Sequence, residues 1–325
     1  LNPVFVNNRN LRALPLFKTH LLNIIFSMKW LILYRDDHEK SANETMRMLK
    51  VHGIESAVLP IEKIPDLEDE TINTQLKTAT HCILFDNQLL VEDKISFFYG
   101  YLIGHTKKFY SLKNEWSSNM KFFKNVFLFS GERNLIDKLE SQIDSIKIEE
   151  HSAEAFSALF NEGIPFTADC FADHISKDDI DICQRFIDAG ININCRTKEG
   201  TPMLNIAIRS EQNRMVDWIL NQNVDINAVS NDRGYSAVMD AVWKTNFELT
   251  KILIERGANL NFIGTDGQSV LVLAVGTGKF EICQLLAESG ADPDIKDQMG
   301  MSAYEYAKLF GKKDILEVLQ KYHKM

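Results

Sequence analysis

The residue runs in this chain that could do chemistry each lack something that their chemistry needs. Gly276-Thr277-Gly278-Lys279 has the look of a phosphate cradle, but that motif requires a glycine at 273 and Ser or Thr at 280, where the chain has Leu273 and Phe280. It reads instead as a tight turn between two helices. His81-Cys82 sets two metal-ligating types side by side with no further ligand at metal spacing, and Cys82, Cys170, Cys183, Cys195 and Cys283 form no Cys-x-x-Cys. Arg35-Asp36-Asp37-His38-Glu39-Lys40 comes after an apolar run, where a nucleotide loop would stand, yet holds no glycine. Backbone could not come close to a pyrophosphate there, and the run reads as a solvated charged loop. Phe85-Asp86-Asn87 ends another apolar run and can either reach a ribose hydroxyl or cap the next helix. We therefore expect no metal, no resident cofactor and no catalytic residue, and look to the elements for the surface they present to a partner.

In the first half, short apolar runs alternate with amphipathic ones. Strands are expected at 30–34, 56–61, 82–86, 108–111 and 125–129, and helices near 42–52, 93–103, 117–123 and 133–146, with 65–80 either loop or helix. This β-α alternation predicts a parallel sheet flanked by helices, an α/β domain of Rossmann-like or flavodoxin-like type over 28–147. Residues 1–27 are expected to be a leader or a mis-assigned start, with Met28 opening the folded protein. Arg9, Arg12 and Lys18 precede the apolar run 21–33 in the manner of a signal peptide, but Asn23 and Lys29 interrupt it and no small-x-small cleavage site comes after it. The run is also too short and polar to span a membrane.

The helix 93–103 and the strand entry beyond it, with Phe98-Tyr99-Gly100-Tyr101 and Gly104-x-x-Lys107-Lys108, resemble the nucleoside deoxyribosyltransferase and Toll/interleukin-receptor-like superfamily. In the enzymes of that group a glutamate two residues before the glycine works at an anomeric carbon. Phe98 stands at that position here, so the resemblance implies a non-catalytic or ligand-sensing domain unless Glu92 or Asp93 has taken the role.

The second half repeats itself. Glycines stand at Gly200, Gly234, Gly267 and Gly300, and seven residues after each comes Ala207, Ala241, Ala274 and Ala307, at intervals of 34, 33 and 33. The same register returns Ala189-Gly190, Asn223, Gly257-Ala258 and Gly290-Ala291, then Asn194, Asn227, Asn261 and Asp294. A fixed period of this size marks stacked supersecondary units, none able to bury its apolar face alone. Ser236, Ser269 and Ser302 are placed to cap the helices after them. Gly190, Gly257 and Gly290 are placed to end the second helices in a left-handed conformation, with Asn223 as the substitute in one unit. The single-residue length change falls between Asn227 and Gly234, in a hairpin loop.

These units resemble the ankyrin repeat, most closely in 254–267 and 286–300, while its Thr-Pro-Leu-His opening is eroded and Thr201-Pro202 sits one place early. The resemblance implies an α-solenoid of about five ankyrin-like repeats over 166–325, a β-turn before two antiparallel helices in each. Residues 148–165 read as a connecting helix and N-terminal cap, with Phe156, Leu159 and Phe160 as a lid on the first repeat. Lys312, Lys313, Glu317, Lys321 and Lys324 give the last unit a polar outer face. Cys183 and Cys283 occupy one place in repeats one and four, too far apart for a disulfide. They read as small buried packing positions in a reducing, cytoplasmic compartment.

Composition narrows the partner. Formal charge is −9, and residues 151–325 carry 17 basic against 25 acidic side chains, which argues against nucleic-acid backbone binding. With the missing motifs above, the resemblance implies a non-enzymatic protein, expected to bind a protein partner through the concave face and hairpin tips of the array. Carried over from the family, the contacting positions are Lys198, Glu199, Thr201, Arg209, Arg233, Tyr235, Trp243, Lys244, Thr265, Gln268, Thr277, Gln298, Met299 and Met301. Tyr235 and Trp243 are expected to be exposed aromatic anchors. The alternative is an enzyme acting on a nucleotide or nucleoside in the first domain, with the repeats as a targeting arm.

Overall fold

The computed structural model describes residues 29–64, 70–86, 93–113 and 123–324, with the side chains of 93–98 left aside. The leader 1–27, Glu92, most of the predicted helix 117–123 and the side chains of Asp93 and Phe98 lie outside the described residues. The chain divides into two units at 150/151, and each is taken by itself.

In the first unit, the apolar runs form five strands: β1 (Lys29–Tyr34), β2 (Glu55–Pro60), β3 (His81–Phe85), β4 (Lys108–Leu112) and β5 (Val126–Phe129). All neighbours pair in parallel, in the order β2-β1-β3-β4-β5. That is the flavodoxin-like doubly wound order, with its switch point between β1 and β3. Strand alternation decides which face each residue takes. Trp30, Ile32 and Tyr34 join α1 (Glu39–Val51) and the first part of α4 (Glu132–Asn161) in one core. Leu31 and Leu33 join α2 (Glu70–Thr78) and α3 (Asp93–His105) in the other. The run 65–80, which left loop and helix open, is helical over Glu70–Thr78. The helix expected to stop at 146 instead continues unbroken to Asn161, through the segment expected to hold a separate connecting helix. Nothing local stops it, because no proline or glycine stands between 132 and 161.

The second unit stacks five helix pairs: α5 (Ala168–Ser176) with α6 (Ile180–Asp188), α7 (Met203–Arg209) with α8 (Asn213–Leu220), α9 (Ala237–Trp243) with α10 (Phe247–Glu255), α11 (Val270–Thr277) with α12 (Phe280–Glu288), and α13 (Ala303–Leu309) with α14 (Lys313–Gln320). One continuous core runs through them from Leu159 to Leu319, with Ala207, Ala241, Ala274 and Ala307 buried in it. A larger side chain at those positions would hold successive inner helices apart. Of the expected lid, Leu159 is buried, but Phe160 is 74 % exposed, so only part of that expectation holds.

Each hairpin closes on an isolated antiparallel bridge, such as Val229 with Ser236 and Ile263 with Ser269. The hairpins are tied by side chains at the repeat period. Asn227 accepts from the Asn259 amide at 2.7 Å and donates to the Gly257 carbonyl at 3.3 Å, and Asn194 and Asn261 do the same one unit before and after. At the matching position of the fifth helix pair's hairpin, Asp294 accepts instead from the Lys324 amide and His323.

Two capping expectations are corrected. Ser269 and Ser302 cap their helices, Ser302 in a reciprocal box with Glu305, but the Ser236 hydroxyl is buried and makes no cap. Gly190, Gly257 and Gly290 take positive φ as expected, whereas Asn223 does not, because α8 ends at Leu220 and the left-handed exit is dispensed with. A left-handed residue recurs elsewhere, in the turn between paired helices: Asp178, Glu211, Thr245, Gly278 and Gly311, with φ of 60°, 57°, 53°, 69° and 63°. The residue types announce this turn only at Gly278 and Gly311, and the phosphate-loop lookalike around Gly278 is indeed a turn.

Candidate functional site

The stack sets the same position of successive inner helices side by side, so a surface feature arises from residues about 33 apart. Trp243, Gly276 and Leu309 are one such row, and Lys244, Thr277 and Phe310 are the next. Between two large side chains, Gly276 leaves a gap: a Cβ built there would meet nothing within 4 Å. The result is an open groove of about 470 Å³ across α9, α11 and α13, with Trp243 on one side and Tyr306 and Phe310 on the other. Val272, Leu273 and Gly276 make its floor. Trp243 is 54 % and Phe310 52 % exposed, which leaves two large apolar side chains unburied around one concavity. That size lies within the range of ligand pockets, and exposed aromatics around a concavity are typical of recognition surfaces.

Two hydroxyls of the groove are already held. The Thr277 hydroxyl donates to the Ala274 carbonyl at 2.8 Å, and the Tyr306 hydroxyl donates to Asp297 at 2.6 Å. Asp297 also accepts from the amides of Met299 and Met301, and it stays below the usual carboxylate range: burial pulls its pKa upward, but these bonds outweigh it.

The predicted contact residues divide three ways. Trp243, Gln268 and Thr277 come together in the groove. Lys198, Glu199, Arg233, Thr265, Gln298 and Met299 are exposed along the hairpin tips, where Thr265 donates to the Arg233 carbonyl and Gln298 to that of Thr265. Met301 is half-buried at the base of the last hairpin, and Lys244 is half-buried and paired with Glu211 at 2.6 Å. Arg209 is spent inside the array, bonding Asp240 at 2.8 Å, Asp232 at 2.8 Å and the Ser230 hydroxyl at 2.9 Å.

Thr201 and Tyr235 are corrections. Both are buried, at 5 % and 7 % exposure, because each lies two residues before its inner helix, where the chain turns back from its hairpin. Burial also pushes the Tyr235 phenol up. Tyr306, Phe310 and Gly276 escape sequence reasoning, although the 33-residue register that aligns Gly276 with Trp243 and Leu309 could have found them.

In the first unit, described polar groups at the carboxyl ends of β1 and β3 bond one another. Asp86 is buried and accepts two bonds from Arg35, at 3.2 and 3.3 Å, and one from Tyr99 at 3.3 Å. The carboxylate that the sequence offered to a ribose hydroxyl or a helix cap thus holds the two strand ends together. His38, in the run expected to be a solvated loop, is buried and bonds Glu132 at 2.5 Å. His81 and Cys82 point to opposite faces of the sheet and cannot converge on one ion. His81 stacks on Trp30 at 4.5 Å and is pushed by burial down to about 3, so it is neutral. Cys183 and Cys283 are buried, and burial raises both thiols, that of Cys283 to about 12.

The family model for ankyrin repeats matches residues 172–263 and 246–324. A protein of Treponema pallidum (strain Nichols) described as ankyrin repeat-containing is 27 % identical over 200 residues, 61 % of this chain and 67 % of its own length. An ankyrin repeat protein of Fowlpox virus (strain NVSL) is 28 % identical over 89 residues, 27 % of this chain and 20 % of its own length. Residues 172–324 form ankyrin repeats and follow in the chain a five-stranded parallel sheet with flanking helices. Among the described residues, no helix is long and apolar enough to cross a membrane.

Proposed function

We propose that this array of ankyrin repeats binds a protein partner across its inner helices, with the groove between Trp243 and Phe310 as anchor and the exposed hairpin-tip residues as the rim. Ankyrin repeats are a protein-interaction module, which supplies the general class. The observation that carries the finer reading is the pair of half-exposed aromatics around a concavity whose floor is apolar. Burying such side chains against a partner contributes about 25 cal/mol per Å² of apolar surface removed from water. The tips suit a rim, because Lys198, Glu199, Arg233 and Gln298 are polar and exposed, as interface rims are. In the first unit, Asp86 is engaged internally by Arg35 and Tyr99.

The test uses the full chain as bait and compares Trp243→Ala with wild type. Trp243 lies on the surface, so its truncation should leave the melting temperature nearly unchanged. Partner affinity should fall by about 2 kcal/mol, roughly thirtyfold. A partner retained at full affinity by Trp243→Ala would sink the proposal.

A further inference from the structure

We infer that the groove selects a partner segment in which a bulky apolar side chain is flanked by acidic residues. This rests on the reading that the array binds protein, and it names the kind of segment the array would take. The apolar half of the inference comes from the lining. No charged side chain lines the interior of the groove, so a charged group entering it would lose its water without gaining a partner. The gap opened by Gly276 between Trp243 and Leu309 suits a Leu, Phe or Trp side chain laid against the indole of Trp243 and the ring of Phe310.

The acidic half runs against the net charge of the array and depends on which charges remain uncommitted. On the hairpin side of the groove, the carboxylates are occupied. Asp297 accepts from Tyr306 and two amides, and Asp266 accepts from the Gln268 amide and from Tyr235. On the side of the turns between paired helices, the ammonium of Lys312 lies 3.2 Å from where a Cβ on Gly278 would stand, next to groove-lining Thr277. Lys279, Lys308 and Lys313 are exposed nearby in the chain, and none of these lysines has an ion-pair partner among the described residues. Of the acids closest to them in sequence, Glu281 and Asp314 stand in the first turns of α12 and α14, where helix N-termini already favour negative charge, and Glu305 accepts from the Ser302 amide at 2.8 Å. The rim at the turns is therefore cationic, and a segment anchored in the groove would meet that charge with its neighbouring residues.

A random peptide library panned on the immobilised full chain tests this, with one enriched peptide then synthesised and titrated by fluorescence polarisation. Gly276→Leu fills the groove from its floor into open space and replaces a helical glycine, so it should melt no lower than wild type. Lys312→Glu reverses the rim charge on an exposed side chain. The expected result is a pool that joins Leu, Phe or Trp to Asp or Glu, with affinity that falls with salt. Binding should drop about tenfold or more in Gly276→Leu and severalfold in Lys312→Glu, with both melts unchanged or higher. A pool of basic peptides, a pool of polyanions with no apolar residue, or no enrichment would each overturn the inference. Peptides that bind Gly276→Leu as well as wild type would also overturn it and leave the array reading standing. A lysate partner indifferent to Trp243→Ala would instead remove the array reading itself.

Discussion

Gly234 lies so close beneath the next hairpin that a Cβ built on it would come within 2.4 Å of the Thr265 backbone nitrogen. Gly200 and Gly267 stand in the same relation to Asn231 and Gln298, while a Cβ on Gly300 would meet nothing within 4 Å. All four take positive φ, between 67° and 82°.

This relation predicts a contrast between two chemically identical substitutions. Gly300→Ala should cost about 1 kcal/mol, the penalty of a Cβ in left-handed backbone. Gly234→Ala must in addition push a hairpin backbone aside and should cost about 3 kcal/mol or more. Urea titrations of the two variants compare them directly, and equal losses would show that the hairpin contact carries no weight.

A gain is predicted at Thr245, a β-branched residue held at φ 53° in the turn where later repeats have Gly278 and Gly311. Thr245→Gly should stabilise the protein by about 1 kcal/mol, since glycine takes this conformation without strain. A lower melting temperature for Thr245→Gly would contradict this.

Asp240 supplies a pH dependence. Burial raises its carboxyl above the usual range, against the opposing pull of Arg209 and Asn205. Its Oδ1 has no donor, which accords with a carboxyl that resists ionising. A carboxyl whose pKa is higher in the folded state contributes its full share of stability below the unfolded value, about 3.9, and loses it as pH rises through the folded value. The melting temperature of wild type minus that of Asp240→Asn should therefore fall as pH rises from about 3 through that window. A difference that grows with pH would show that the Arg209 pair outweighs burial.

Tyr235 and Trp243 should separate stability from binding. Tyr235→Ala empties a buried site and should cost about 3 kcal/mol of folding stability. Trp243→Ala should hardly move the melt and should act on the partner instead. Thermal melts of the two variants side by side decide it, and a collapsed Trp243→Ala melt would place that indole in the core.

Much of the molecule is legible in its residues because the features that announce it are local. Each strand lies within a residue or two of its apolar run, since such a run between polar turns says strand whatever surrounds it. The period of the array is written in its glycines and alanines, which backbone geometry and close packing demand at fixed places. The position of the single inserted residue, between Asn227 and Gly234, is legible for the same reason.

The features that only the tertiary structure decided depend on neighbours a repeat away. Tyr235 looks like a surface aromatic until its own hairpin folds over it. Asp178, Glu211 and Thr245 accept left-handed backbone because the packed helices on either side leave the turn no other path, and that packing outweighs a local penalty of about 1–2 kcal/mol per residue. The groove belongs to no single repeat. Trp243, Gly276 and Phe310 are far apart in sequence, and only the stacking of inner helices sets a missing side chain between two large ones.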